Sequence, residues 1–248
     1  MTNLAIEVKN LSKKFRIYHE NRNSVYEAIK GIFSKKKYYE NLDVLKNISF
    51  SIEKGEMFGI IGKNGAGKTT LLRIISGIYK QDSGTVLVNG SLTPLLGLGV
   101  GFEIDMTARD NIIRYGMILG FKKNDIIQRV DAIIKFAGLE KFLDTKLKNF
   151  STGMYQRLAF ATAIQVDPDI LLIDEGLFTG DLGFQQQCFY AIMSFKKRNK
   201  SIILVSHDMR PIEEYCDRAL LLGNGIIESI GDPKKVIEDY RKSLLRKL

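Results

Sequence analysis

Residues 58–69 read FGIIGKNGAGKT, and their reading decides the fold. Four apolar residues without polar alternation, Phe58 to Ile61, describe a strand buried on both faces. The next eight, GKNGAGKT from Gly62 to Thr69, fit G-x-x-x-x-G-K-[ST], with a helix beginning near Thr69 and running through TLLRIISGIY, residues 70–79. A strand, a glycine-rich turn and a helix N-terminus in that order make a place for phosphate. The glycines let backbone N–H groups turn inward without Cβ clashes, and the helix end adds partial positive charge. Lys68 is placed to reach β and γ oxygens, and the Thr69 hydroxyl to ligate Mg²⁺. The candidate phosphate-binding residues are thus Gly62, Asn64, Gly65, Ala66, Gly67, Lys68, Thr69 and Thr70. A glycine-rich turn that binds nothing is the plainer alternative, and the strand before and helix behind argue against it.

Working outward, TVLVNG (85–90), DILLIDE (169–175) and SIILVSH (201–207) are further apolar strands, separated by helical periodicity over 108–143 and after Ser151. Apolar strands alternating with helices predict an α/β fold, a largely parallel sheet covered on both faces. One domain over residues 1–248, with a helical lobe at about 105–150, follows from the absence of repeats and proline-rich linkers. In such sheets ligands bind beyond the carboxyl ends of the strands, where Asp174, Glu175 and His207 all fall. Asp174 suits a Mg²⁺ shell, Glu175 suits orienting and polarising an attacking water, and His207 suits a γ-phosphate contact. Solvated turn carboxylates and a structural histidine are the bland alternatives.

Composition bounds the partners. The chain of 248 residues is 45% hydrophobic and 26% charged, ordinary for a soluble globular protein. Cys188 and Cys216 form no metal-ligand spacing, which predicts reduced thiols in a cytoplasmic protein. No run of 18 apolar residues and no signal-peptide pattern at the start predict a chain that neither spans a membrane nor is exported. The net charge of +9 sits in two places: residues 13–46 carry nine Lys/Arg against four Asp/Glu, and residues 234–247 carry six against two. The remaining residues balance, so any basic patch belongs to these two segments and not to the body of the domain, with a solvated charged face as the bland alternative. Within the first basic segment, Val25, Ile29, Ile32 and Phe33 share one face of a helix predicted at about 22–36, followed by Lys35, Lys36 and Lys37. The whole stretch 19–42 resembles neither strand beside it.

The absence of N-K-x-D argues against a guanine-specific GTPase. The stretch FSTGMYQR (150–157), upstream of DILLIDE, decides the matter together with the spacing of Lys68, Ser151, Asp174, Asp181 and His207. Across essentially its whole length the chain resembles the ATP-binding subunit of ABC transporters. The resemblance implies a P-loop NTPase with a RecA-like, mostly parallel core, an antiparallel β lobe and a helical subdomain. It also implies ATP and Mg²⁺ as cofactors and an ATP-dependent, head-to-tail homodimer holding two ATP molecules. Ser151 and Gly153 match the signature motif that closes on the other subunit's γ-phosphate, Asp181 the loop crossing that interface, and Phe15 the aromatic on which adenine stacks. Thr152 and Met154 depart from the usual Gly and Gln, and no Gln occurs between residues 82 and 127, where the family's glutamine-bearing loop falls. In its place stands TPLLGLGVGFEIDMTARDNI (93–112), which together with FSTGMYQRLAFATAI (150–164) and DEGLFTGDLGFQQQC (174–188) resembles the branch exporting O-antigen, teichoic acid or capsule. That branch implies a separate, dimeric transmembrane permease, a lipid-linked glycan, no nucleic acid, and a peripheral site on the cytoplasmic face of the membrane. In this branch an extra helix stands near the membrane subunit, where residues 22–36 fall. The competing readings are a soluble nucleic-acid or ribosome-associated ABC protein, which usually carries two such domains or a long coiled-coil insertion, and a switch that binds ATP without turnover, against which Glu175 and His207 weigh.

Overall fold

The computed structural model describes residues 3–18, 39–174 and 182–245. Among the described residues, nine strands form two sheets. The larger contains β3 (Met57–Ile61), β5 (Leu92–Leu95), β6 (Ile170–Ile173), β7 (Ser201–Val205), β8 (Arg218–Gly223) and β9 (Ile226–Gly231), in the order β5-β6-β7-β3-β8-β9. Pairings from β5 through β8 are parallel and only β9 runs antiparallel, which meets the expectation of a mostly parallel core. The unbroken apolar runs explain this arrangement: every residue of β3, β6 and β7 is buried, as a strand covered on both faces requires.

The two faces have different covers. Phe58, Ile60, Ile170, Leu172, Ile203, Val205, Leu220 and Leu222 point to a cluster completed by helix α1 (Lys68–Ile75) and a three-stranded antiparallel sheet. That sheet, ordered β2-β1-β4, holds β1 (Leu4–Tyr18), β2 (Tyr39–Glu53) and β4 (Ser83–Val88). The alternate residues Met57, Leu171, Ile173, Ile202, Leu204, Ala219 and Leu221 pack against four helices. These are α4 (Thr152–Ala163), α5 (Leu182–Lys197), α6 (Met209–Tyr215) and α7 (Pro233–Leu245). Gly59 keeps that packing tight, since a Cβ there would stand 2.9 Å from Ile212 Cγ2.

A third cluster forms the helical lobe. Helices α2 (Ala108–Ile118) and α3 (Lys123–Ala137) supply Ala108, Ile112, Ile126, Val130, Ile133 and Ile134, and α4 adds Leu158 and Ala161. The lobe's core therefore includes residues of α4 as well as of α2 and α3. Thr107 caps α2, its hydroxyl accepting from Asp110 N at 3.2 Å.

Boundaries differ from the sequence reading in four places. Helix α1 spans Lys68–Ile75, one residue earlier than Thr69 and four short of Tyr79, because Gly77 at φ +75° turns the chain and Tyr79 N returns to Arg73 O at 2.9 Å. The strand read at 85–90 is Ser83–Val88, ending where the Asn89 carboxamide donates to Leu4 O. Asp169 stays outside β6 because its carboxylate accepts from Ser91 N and Oγ and from Lys200 Nζ. Finally β2 begins at Tyr39, which pairs with Tyr18, so residues 39–42 of the stretch set apart in the sequence are strand. The helix expected at 22–36 lies outside the described residues.

Candidate nucleotide site

The glycine-rich turn leaves the end of β3, an interior strand of the parallel sheet, and enters α1 without a side-chain cap. Gly67 is the N-cap at φ +106°, ψ 4°, a conformation that a side chain resists. A Cβ on it would also stand 2.9 Å from Leu45 Cδ2 and 3.0 Å from Val44 O, so β2 backs the turn closely. The first turn of α1 contains no acidic residue, and its N–H groups are left for an anion.

Lys68 is buried at 5% exposure, with Nζ donating to Gly62 O at 2.7 Å and Lys63 O at 3.2 Å. Among the described residues no carboxylate pairs with it. A buried ammonium held only by neutral carbonyls is matched by an anion entering the same turn. Thr69 is exposed and Thr70 half-buried at the helix start, while Asn64 and Gly65 are exposed on the turn's rim. Together the buried cation, the uncapped helix end and the cradle that a Cβ would fill fit the phosphates of a nucleotide.

Parallel pairing brings the other strand-end residues to the same edge. Asp174 follows β6 and is half-buried; exposed His207 lies two residues beyond β7, which runs directly beside β3. Asp208, next to it, caps α6 and is held below the usual carboxylate range by hydrogen bonds from the Arg210 side chain and backbone. Glu175 and Asp181 lie outside the described residues. Phe15 stands on β1 opposite Leu42 of β2, the strand that backs Gly67 farther along. Its ring meets Tyr79 edge-on at 5.7 Å and lies 5.3 Å from Lys13 Nζ.

Ser151 and Gly153 belong to the other lobe. Ser151 caps α4, its hydroxyl accepting from Met154 N at 3.2 Å, and is exposed. Around Gly153 a Cβ would meet nothing nearer than Ser151 Oγ at 3.9 Å, and its φ is not in the left-handed region. Among the described residues, packing gives no reason for a glycine there.

Two residues that the motif reading missed organise the loop standing where the glutamine is absent. Asn111 is fully buried; its Oδ1 accepts from Glu103 N at 2.7 Å, and its Nδ2 donates to Glu103 O at 2.9 Å, Met106 O at 3.3 Å and Thr107 O at 2.9 Å. A polar residue in the apolar stripe of Ala108, Ile112 and Tyr115 was the available signal. Tyr155 donates to Gly99 O at 2.9 Å, a pairing across 56 residues with no local signature.

Fold and cradle together define a nucleotide-binding protein of the P-loop type. Residues 45–177 match the ABC transporter family, and the chain belongs to that family as an ATP-hydrolysing subunit. It is similar to the O-antigen export system ATP-binding protein RfbB of Klebsiella pneumoniae, 35% identical over 96% of this chain and 98% of that protein. It is 40% identical to the RfbB protein of Myxococcus xanthus over 97% of this chain, but spans only 56% of that relative. The teichoic acids export ATP-binding protein TagH of Lactiplantibacillus plantarum is 38% identical over 96% of this chain and 64% of its own length. Among solved structures, an ATP-binding subunit of an ABC transporter matches with a TM-score of 0.74 at 22% identity, covering 95% of this chain and 93% of the other. A dimeric ATP-binding cassette bound to ADP and Pi gives 0.72 at 21%, covering 92% and 98%. Likeness at that identity concerns the fold.

Proposed function

We propose that this chain hydrolyses ATP to power a separate transmembrane permease exporting lipid-linked cell-surface polysaccharide of the O-antigen, teichoic acid or capsule type. One observation carries this reading: the buried Lys68 cradle at the sheet edge occurs in a chain that matches an O-antigen export ATP-binding protein almost end to end. The working form is an ATP-dependent homodimer lying peripherally on the cytoplasmic face of the membrane, and it engages no nucleic acid.

Each described residue has a task that its position supports, while the tasks of Glu175 and Asp181 rest on the sequence. Lys68 exchanges the Gly62 and Lys63 carbonyls for phosphate oxygens, while backbone N–H groups between Gly62 and Thr70 surround the same charge. Phe15 offers a half-exposed ring for adenine to stack on. Mg²⁺, when bound, would supply positive charge that offsets the phosphates. The Thr69 hydroxyl and the Asp174 carboxylate are the oxygen donors that would hold it. Glu175 orients and polarises the attacking water, and His207 holds the γ-phosphate from the neighbouring strand end. Ser151 and Gly153 meet the nucleotide of the partner copy: Ser151 sits at a helix N-terminus, and the open space at Gly153 leaves room for close approach. Asp181 crosses between the two copies.

Complementation in the source cells tests the reading. Deleting the gene should remove the glycan from the surface and leave lipid-linked glycan inside, with rescue by the natural chain and none by Lys68→Ala. Unchanged surface glycan in the deletion strain would refute it.

A further inference from the structure

The loop LGLGVGF, residues 96–102, leaves the site end of β5 and crosses to the helical lobe. Its three glycines, Gly97, Gly99 and Gly101, all lie at positive φ, 66°, 81° and 96°. Side chains from three directions close on this backbone. The Tyr155 hydroxyl donates to Gly99 O at 2.9 Å, and a Cβ on Gly99 would fall 2.5 Å from the Tyr155 ring. Phe102 meets Tyr155 and Tyr115 edge-on at 5.0 and 5.1 Å and packs on both the sheet's core and the lobe's core. Gly101 lies against Ile118, whose Cδ1 would be 2.6 Å from a Cβ there. Between the two pinned glycines, Val100 points outward at 68% exposure.

Tyr155 lies one helical turn after Ser151, and its N–H donates to Ser151 O at 3.0 Å. The residue that grips the loop and the residue that caps α4 therefore stand on the same turn. Helix geometry leaves little freedom between them. We propose that Tyr155 is a positioning residue: its bond to Gly99 makes the 97–101 loop and the Ser151 turn move as one body, so that engagement of Ser151 by nucleotide registers at the exposed Val100. The inference rests on the reading of Ser151 as a nucleotide-engaging residue. A loop held only by contacts with the β5 edge would instead stay still when the α4 terminus moves.

The chain contains no tryptophan, so Val100→Trp installs a single fluorophore at an exposed place. ATP affinity is measured first by calorimetry, then tryptophan emission is followed on adding Mg-ATP. Emission should shift in Val100→Trp and fail to shift in Val100→Trp/Tyr155→Phe, which keeps the ring but loses the hydroxyl, with ATP affinity within about two-fold in both. In steady state Tyr155→Phe alone should lower kcat by about five-fold while KM for ATP changes by less than about two-fold. An emission shift that survives Tyr155→Phe overturns the proposal, as does a missing shift with Tyr155 intact while ATP is bound. Failure of calorimetry to detect ATP at all would instead sink the nucleotide reading and this inference with it. A change in melting temperature with an unaltered kcat would make Tyr155 a packing residue only.

Discussion

Gly153 and Gly67 show how differently a glycine can be required. Gly67 is demanded by its own chain, through a positive φ and the approach of Leu45; Gly153 has ordinary helical geometry and open space. Gly153→Ala should therefore stabilise the isolated subunit by about 0.5 kcal/mol, since alanine is the better helix former. The same change should lower ATP turnover by about ten-fold or more, because the added methyl obstructs a partner's phosphate. Thermal melting and phosphate release distinguish the two effects; unaltered turnover would remove Gly153 from the site. The buried thiols and phenols give a second test. Burial pushes Cys188 and Cys216 from 9.0 up to about 12, and it raises Tyr115 and Tyr155 as well. A folded-state pKa above the unfolded one favours folding below the unfolded value, so this contribution is complete below pH 9 and declines as pH rises towards 12. Melting temperature should fall above pH 9, and a thiol reagent at pH 8 should label both cysteines only after unfolding. Rapid labelling of the native protein would contradict their burial. At this scale the glycine-rich turn was legible because its residues are consecutive and fit a fixed pattern. Tyr155 and Asn111 were not, because their partners are backbone atoms 56 and between four and eight residues away.

At the scale of elements, apolar runs located β3, β6 and β7 because a strand buried on both faces needs no alternation, and β9, with alternating exposure, left a weaker trace. Ends were harder to read, since they depend on distant atoms. Helix α1 stops where Gly77 turns, β6 starts after Asp169 has been claimed by Ser91 and Lys200, and β2 starts where Tyr39 finds Tyr18. The loop after β5 was visible only as a departure from the family pattern, and the structure explains its shape through Asn111. Replacing Asn111 by alanine would leave the Glu103 N–H without its partner and take one hydrogen bond from each of the Glu103, Met106 and Thr107 carbonyls, at a cost of about 2 kcal/mol. Chemical denaturation should show that loss. A midpoint unchanged from the natural chain would mean that the loop re-pairs its backbone unaided.

Over the whole molecule, one mostly parallel sheet separates two cores, and the third core, in the helical lobe, shares α4 with the second. Ser151, at the start of α4, thus belongs to a helix packed on both the lobe and the sheet. The segment between β1 and β2 departs from the paired ends Tyr18 and Tyr39, so its excision closes across a formed ladder. Replacing residues 22–36 by a short Gly/Ser linker should leave ATP hydrolysis within about two-fold of the natural chain while abolishing glycan export. Unchanged export would deny that segment a role at the membrane, and an unfolded product would make it part of the core. The proposed function turns on whether the strand-edge cradle hydrolyses ATP. Phosphate release from Mg-ATP by the purified natural chain, set beside Lys68→Ala, measures it directly. Steady turnover by the natural chain and a fall to background in a folded Lys68→Ala protein is the expected result; no turnover by the natural chain, or turnover that survives loss of Lys68, would contradict it.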